Sequence, residues 1–300
     1  MARSAISIAS VALSQAPPAG EGYWLIAWRR LRRHHVAMGG LVVILLLIVS
    51  AVCAPWIAPY RFEDIDLLNR FASPFRAGHP LGTDDLGHDV LTRLLYAGRV
   101  SLLVGFAAAF SAVTLGTLVG VVAGFYGRIV DNIMMRLTDI VLTLPVFGVL
   151  LLLGRYFGGG LIAIIIIIGL FGWTVTSRLV RGEILKLKSL DYTDAARAMG
   201  ANESRIIFRH LLPNAVAPII VAATLDVGGA ILTEAALSYF GVGIQPPTPS
   251  WGNMLQNAQS YLWTSPWLAF WPGMLIFLTV LCFNFFGDGL RDALDPRLRI

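Results

Sequence analysis

The chain has 300 residues, of which 56% are hydrophobic and 14% charged, with a formal net charge of +5. That balance excludes a water-soluble globular domain, because several apolar runs reach the about 20 residues needed to cross a bilayer core of about 30 Å. The positive balance does not point to nucleic acid, since the arginines and the two lysines, Lys186 and Lys188, fall between the apolar runs.

Residues 1–20 are rich in Ala, Ser and Pro and lack the apolar core of a cleaved signal, so they read as a tail. An all-α integral membrane protein follows, with about six spans expected near 36–57, 101–125, 135–153, 161–180, 216–240 and 267–287. The corresponding divisions are a cytoplasmic tail (1–35), a first transmembrane helix (36–57), an extracytoplasmic segment (58–100), a five-helix core (101–290) and a cytoplasmic tail (291–300). Basic residues set the orientation. One side would carry Arg3, Arg29, Arg30, Arg32, Arg33, Arg128, Arg136, Arg178, Arg181, Lys186, Lys188, Arg197, Arg205, Arg209, Arg291, Arg297 and Arg299; the other carries only Arg61, Arg70, Arg76, Arg93, Arg99 and Arg155. Both termini are therefore expected in the cytoplasm. His34-His35 reads as a solvated pair in the basic head, and Cys53 and Cys282 as small apolar residues, not a disulfide framework.

The outer segment 58–100 and the later outer segment 241–266 carry Pro and Gly, and both are expected to fold as non-helical turns. Trp251, Tyr261 and Trp263 suit a membrane interface. In the second span, Ala108, Ala112, Gly116, Gly120 and Gly124 recur every four residues, a stripe that lets a neighbouring helix approach closely. Pro145 should kink the third span, and Asp139 should pair locally with Arg136.

The segment 181–213 is too long for a simple connection between spans. It reads as two short helices. Tyr192, Ala195, Ala196 and Met199 share one apolar face of the first; Gly200 suits a left-handed C-cap and Asn202 an N-cap. In the second helix Ile206, Ile207, Phe208 and Leu211 form the apolar side, Arg205 and Arg209 the polar side, and Pro213 is expected to end it before the fifth span. Geometry alone also fits an amphipathic element lying on lipid headgroups. In the fifth span Asp226 stands near mid-bilayer, with Thr224, Thr233 and Glu234 nearby. A carboxylate facing lipid costs several kcal/mol, so these groups either line a pathway or are locked to partner helices.

Asp194-Ala195-Ala196, Gly200 and Leu212-Pro213 resemble the coupling loop of ATP-binding-cassette (ABC) importer permeases, with Asp194 in place of the usual Glu and Arg209 in the normally apolar run before Leu212. Three further stretches resemble the dipeptide/oligopeptide/nickel type of that family. These are 79–90, with His88 where Arg is common; 233–252, from Thr233-Glu234-Ala235 to Ser250-Trp251-Gly252; and 284–296. The resemblance implies a type I (MetI-like) permease fold and a multi-pass subunit in a prokaryotic inner membrane. It implies alternating access and coupling to ATPases through Tyr192, Asp194, Ala195, Ala196, Met199, Gly200, Arg205 and Arg209. The implied partners are a second homologous permease, two cytoplasmic ABC ATPase subunits or domains carrying ATP and Mg, an extracytoplasmic substrate-binding protein and membrane lipid, with no nucleic acid and no cofactor on this chain. In keeping with that division, the chain contains no phosphate-cradling G-x-x-x-x-G-K-[ST] loop. Dipeptides, longer peptides, nickel chelates, glutathione and haem are the substrate classes of related systems. The rival reading is a stand-alone secondary transporter or channel, which leaves 181–213 without a role.

Overall fold

A computed structural model of the chain describes residues 23–76 and 78–295; the expected tail at 1–20 and the arginines at 297 and 299 lie outside the described residues. The described residues are helical apart from turns and two isolated β-bridges, Arg76 with His79 and Thr83 with Asp89. In lipid every backbone polar group needs an internal partner, and helices meet that need within one segment. The elements are α1 (Tyr23–Arg33), α2 (His35–Val52), α3 (Val90–Tyr126), α4 (Arg128–Thr143), α5 (Val146–Phe157), α6 (Leu161–Lys188), α7 (Asp191–Ala198), α8 (Glu203–Tyr239), α9 (Trp251–Ala258) and α10 (Trp267–Leu294).

Five helices (α2, α3, α6, α8 and α10) are long and apolar enough to cross a membrane, and a sixth crossing results if α4 and α5 count as one. The third span is thus not a single helix over 135–153: α4 and α5 meet at 81°. Pro145 is the cause, because its ring drives Leu144 out of the helical region, to φ −70° and ψ 145°. α3 and α8 each have 37 residues, about 55 Å at 1.5 Å per residue, so both project well beyond an about 30 Å core. α2 begins after a break at His34, whose Nδ1 accepts from the Ala37 amide at 3.2 Å. His34 Nε2 also lies 3.9 Å from Asp292, so it has structural partners and is not merely solvated.

α3 is the central helix. One buried cluster joins α2, α3, α8, α9 and α10 through residues such as Ile44, Leu94, Ile231, Trp251 and Phe283. A second joins α3, α5, α6 and α8 through Val104, Leu150, Ile164 and Leu237. The small-residue stripe admits a close neighbour, as its spacing implies, and that neighbour is α6. A Cβ on Gly116 would stand 2.7 Å from the Trp173 carbonyl oxygen, one on Gly120 2.6 Å from that of Ser177, and one on Gly124 2.9 Å from the Ile184 side chain. The two backbones have no room for a larger residue.

Two ion pairs fasten α4 to the same α6. Arg181 donates to Asp131 through Nε (2.5 Å) and Nη2 (2.6 Å), and Arg178 Nη2 reaches Asp139 at 2.5 Å. The Asp139 partner is therefore on the neighbouring helix, not Arg136. Thr138 is the one buried residue of α4, so these pairs are its polar ties to α6.

Replacing Gly120 with Leu should lower the stability of the purified chain by about 1–3 kcal/mol or abolish folding, since the insertion cannot be absorbed by one flexible side chain. Gly148→Ala, where nothing lies within 4 Å of the added Cβ, should melt like wild type. Thermal unfolding of the two variants by fluorescence-detected gel filtration checks this.

Candidate functional site

The segment expected to act as a coupling loop is a compact bracket. α6 continues to Lys188, eight residues past the expected end of its span. The Lys188 ammonium donates to the Phe125 carbonyl at the end of α3 and lies 5.4 Å from the centre of the Phe125 ring. After Ser189 and Leu190 the chain turns into α7. Thr193 is fully buried, and its hydroxyl donates back to the Leu187 carbonyl at 2.9 Å, which ties α7 to the end of α6. Gly200 has φ +80°, the left-handed conformation expected there, and the amides of Gly200 and Ala201 donate to the carbonyls of Arg197 (2.9 Å) and Ala196 (3.0 Å). Asn202 then caps α8, its Oδ1 accepting from the Arg205 amide at 2.9 Å.

Two expectations for this segment are corrected. First, Pro213 does not end a helix: α8 runs unbroken from Glu203 to Tyr239. The reason is a π-helical stretch, Ile206–Leu211, in which the Leu212 amide donates to the Ile207 carbonyl, five residues back. The wider turn absorbs the missing donor and the bulk of the Pro213 ring. Second, the four residues assigned to one apolar face divide. Ala196 is only 2% exposed and turns inward with Thr193, whereas Met199 is 82% exposed and Tyr192 and Ala195 are also exposed. Ile206 and Leu211 bury themselves against Val121, Phe125, Val180, Ile184 and Leu187. Phe208, expected on that apolar side, is 66% exposed instead. The outward surface of the bracket therefore comprises Tyr192, Ala195, Met199 and Phe208, flanked by Asp194, Arg205 and Arg209. Asp194 forms an exposed ion pair with Arg197 at 3.1 Å, a contact of small energetic weight.

The polar residues of α8 do not form one lining. At 100° per residue Asp226 and Thr233 are about 20° apart around the helix, whereas Thr224 is on the opposite side. Asp226 is half-buried and, among the described residues, accepts one bond, from Thr176 Oγ1 on α6 at 3.0 Å. The Thr224 and Thr233 hydroxyls donate to their own helix, to the carbonyls of Ile220 and Gly229, both at 2.8 Å. Glu234 is fully enclosed. Its carboxylate accepts from Ser101 Oγ on α3 (3.0 Å) and from Ser238 Oγ (2.7 Å); those hydroxyls in turn accept from the amides of Trp251 (3.2 Å) and Ile244 (3.0 Å). Glu234 thus joins α3, α8 and the outer connection that follows.

That outer connection contains a helix where only turns were expected. α9 starts with a capping box: Ser250 Oγ accepts from the Asn253 amide (3.2 Å) and Asn253 Oδ1 from the Ser250 amide (2.9 Å). The Ser-x-x-Asn spacing carries this signal, close to the usual Ser/Thr-x-x-Glu/Gln form. Trp251 is 2% exposed and donates to the Leu94 carbonyl at 3.1 Å, so it is a core residue and not an interface aromatic, whereas Trp263 is 99% exposed. Opposite α9, the segment before α3 folds around Asp84. Its Oδ1 accepts from the amides of Leu86 (2.9 Å) and His88 (2.8 Å), and its Oδ2 faces His88 Nδ1 (2.9 Å) and Arg93 Nη1 (3.2 Å). An open cleft of about 850 Å³ lies between the two outer segments, lined by Phe62, Glu63, His88, Arg93, Gln256 and Tyr261 among others. Burial raises the Asp84 pKa, but the hydrogen bond from His88 and the charges of Arg93 and His88 outweigh it and hold the carboxyl below its ordinary range.

The chain has clear relatives. Residues 116–300 match the family described as "Binding-protein-dependent transport system inner membrane component", and residues 22–74 match the "N-terminal TM domain of oligopeptide transport permease C". The dipeptide transport system permease protein DppC of Alkalihalophilus pseudofirmus is 41% identical over 94% of this chain and 94% of its own length. The oligopeptide transport system permease protein OppC of Bacillus subtilis is 42% identical, covering 92% and 90%. The glutathione transport system permease protein GsiD of Pectobacterium atrosepticum is 42% identical, covering 92% of each. Among solved structures, an inward-facing conformation of the MetNI methionine ABC transporter superposes with a TM-score of 0.57 at 21% identity, over 68% of this chain and 97% of that one. That likeness concerns the fold.

A carboxyl whose pKa falls on folding stabilises the folded state above its unfolded pKa, and the stabilisation is lost as pH drops through the folded value. Asp84→Asn should therefore destabilise the outer segment at pH 7 by about 3 kcal/mol, since it leaves Arg93 without its carboxylate. The gap between variant and wild type should close below the ordinary carboxylate range. Limited proteolysis of residues 58–89 across pH checks both.

Proposed function

Because the chain belongs to the binding-protein-dependent transport system inner membrane components, as a permease subunit of an ABC importer, we propose that it couples ATP hydrolysis on partner subunits to solute movement through the exposed surface of α7 and the start of α8. The observation that carries this reading is the division of α7. Thr193 and Ala196 fasten it to the chain while Tyr192, Ala195 and Met199 stay free to meet another protein. Small Ala195 between two larger exposed residues suits a helix that seats in a groove, and Arg205 and Arg209 offer charge beside it.

In this proposal two ABC ATPase subunits or domains supply ATP and Mg, and this chain hydrolyses nothing itself. A second homologous permease completes the pathway, a substrate-binding protein docks on the outer side, and both termini are cytoplasmic. The cargo class is short peptides or related small solutes, by analogy with relatives named for dipeptides, oligopeptides and glutathione. Asp226 and Thr233 face the route. Asp226 is the better candidate, because one hydroxyl donor leaves most of its acceptor capacity for solute or water. Glu234 holds the bundle together instead.

Ala195→Arg should reduce ATP-driven uptake in proteoliposomes to about a tenth or less, the effect of about 1.4 kcal/mol or more. The chain should still fold and still pair with its permease partner. Wild-type uptake would contradict the docking role.

A further inference from the structure

Outside the coupling bracket, one element has a surface that nothing above uses. We infer that α1 lies in the membrane interface and binds anionic phospholipid headgroups, anchoring the end of the first span to the end of the last. α1 reads Tyr-Trp-Leu-Ile-Ala-Trp-Arg-Arg-Leu-Arg-Arg and contains four arginines and no acidic residue. It is a separate helix, divided from α2 at His34, where φ is −86° and ψ 86°.

Its circumference divides three ways. Ala27 and Leu31 are buried, at 7% and 4% exposure; Ala27 packs with Val221 of α8 and Leu294 of α10, and Leu31 with Ala37 of α2 and Ala293 of α10. Arg30 Nη1 donates to the Asp295 carbonyl at 3.3 Å, so the same side grips the end of α10. Next to this stripe, Trp28 is 44% and Leu25 52% exposed. Measured from Trp28 at 100° per residue, Ala27 and Leu31 fall near 260° and 300°, Leu25 near 60°, Arg32 near 40° and Arg33 near 140°. Going round from the protein side, an outer edge holds Trp28, Arg32 and Leu25, and Arg33 follows beyond it. The Arg32 guanidinium sits 5.4 Å from the centre of the Trp28 ring, so its charge lies over this largely apolar edge.

An exposed apolar edge interleaved and flanked with arginines suits a bilayer surface, where the apolar side chains enter the acyl boundary while the long arginines reach out to phosphate. Charge complementarity selects the lipid class, because the exposed Arg32 and Arg33, on a helix with no acidic residue, gain little from zwitterionic headgroups and much from anionic ones. α1 also joins α2, α8 and α10 at one end of the bundle, so headgroup binding would brace three spans together.

The test uses the full chain in nanodiscs of phosphatidylcholine alone or with phosphatidylglycerol. Native mass spectrometry should show phosphatidylglycerol retained in preference to phosphatidylcholine. Replacing Arg32 and Arg33 with Gln should lower that preference about fivefold per arginine, and high salt should do the same. If the double variant folds poorly, quenching by brominated phosphatidylglycerol decides: a quenched component present in wild type should disappear in Trp28→Phe. Equal retention of both lipids, a preference unchanged by the substitutions, or an unquenched Trp28 would overturn the proposal. So would crosslinking of position 28 to another subunit in the assembled importer, which would mean that protein covers this face.

Discussion

The close approach of α3 to α6 governs the rest of the architecture. In lipid there is no hydrophobic drive to push helices together, so contact area and backbone proximity must do so. The stripe from Ala108 to Gly124 supplies that proximity, and its last members point at the residues from which α6 carries on beyond the bilayer. The seam does not end with the membrane. Lys188 clamps the end of α3, Thr193 hangs α7 from Leu187, and the Ile206–Leu211 stretch closes on the same cluster. A displacement applied to α7 therefore reaches α3, α6 and α8 through buried contacts. Close-packed contacts of this kind transmit displacement and do not absorb it.

The charged and polar groups are allotted to distinct tasks by their surroundings. Arg178 and Arg181 bind the bent α4 to α6, holding an element that has little apolar contact. Glu234 spends both oxygens on Ser101 and Ser238 and so fixes the outer connection to the bundle. Asp226, partly exposed, accepts from Thr176 on α6. In the segment before α3, Asp84 ties His88 and Arg93 beside a cleft of about 850 Å³.

Much of this was legible in the sequence because the signals were local. Apolar run length located the spans, four-residue spacing gave the small-residue stripe of α3 though not its partner α6, and the Gly200 and Asn202 caps bounded α7 and α8. What escaped depended on tertiary context. No propensity rule says that a π-turn will carry α8 through Pro213. The inward turn of Ala196 is set by Thr193 bonding to Leu187, a contact with a helix end that the sequence placed eight residues too early. Asp139 found Arg178 across a helix pair in place of Arg136 on its own turn. α9 was hidden by the prolines around it, although its capping box was readable.

The central claim is that α7 presents one side to an ATPase and keeps the other for its own chain. Single cysteines at Ala195, Ala196 and Met199, in a background with Cys53 and Cys282 replaced, probe this within the assembled importer. The account predicts crosslinks from positions 195 and 199 to an ATP-hydrolysing subunit and none from 196. Capture from 196 alone, or from none of the three in an active complex, would contradict it.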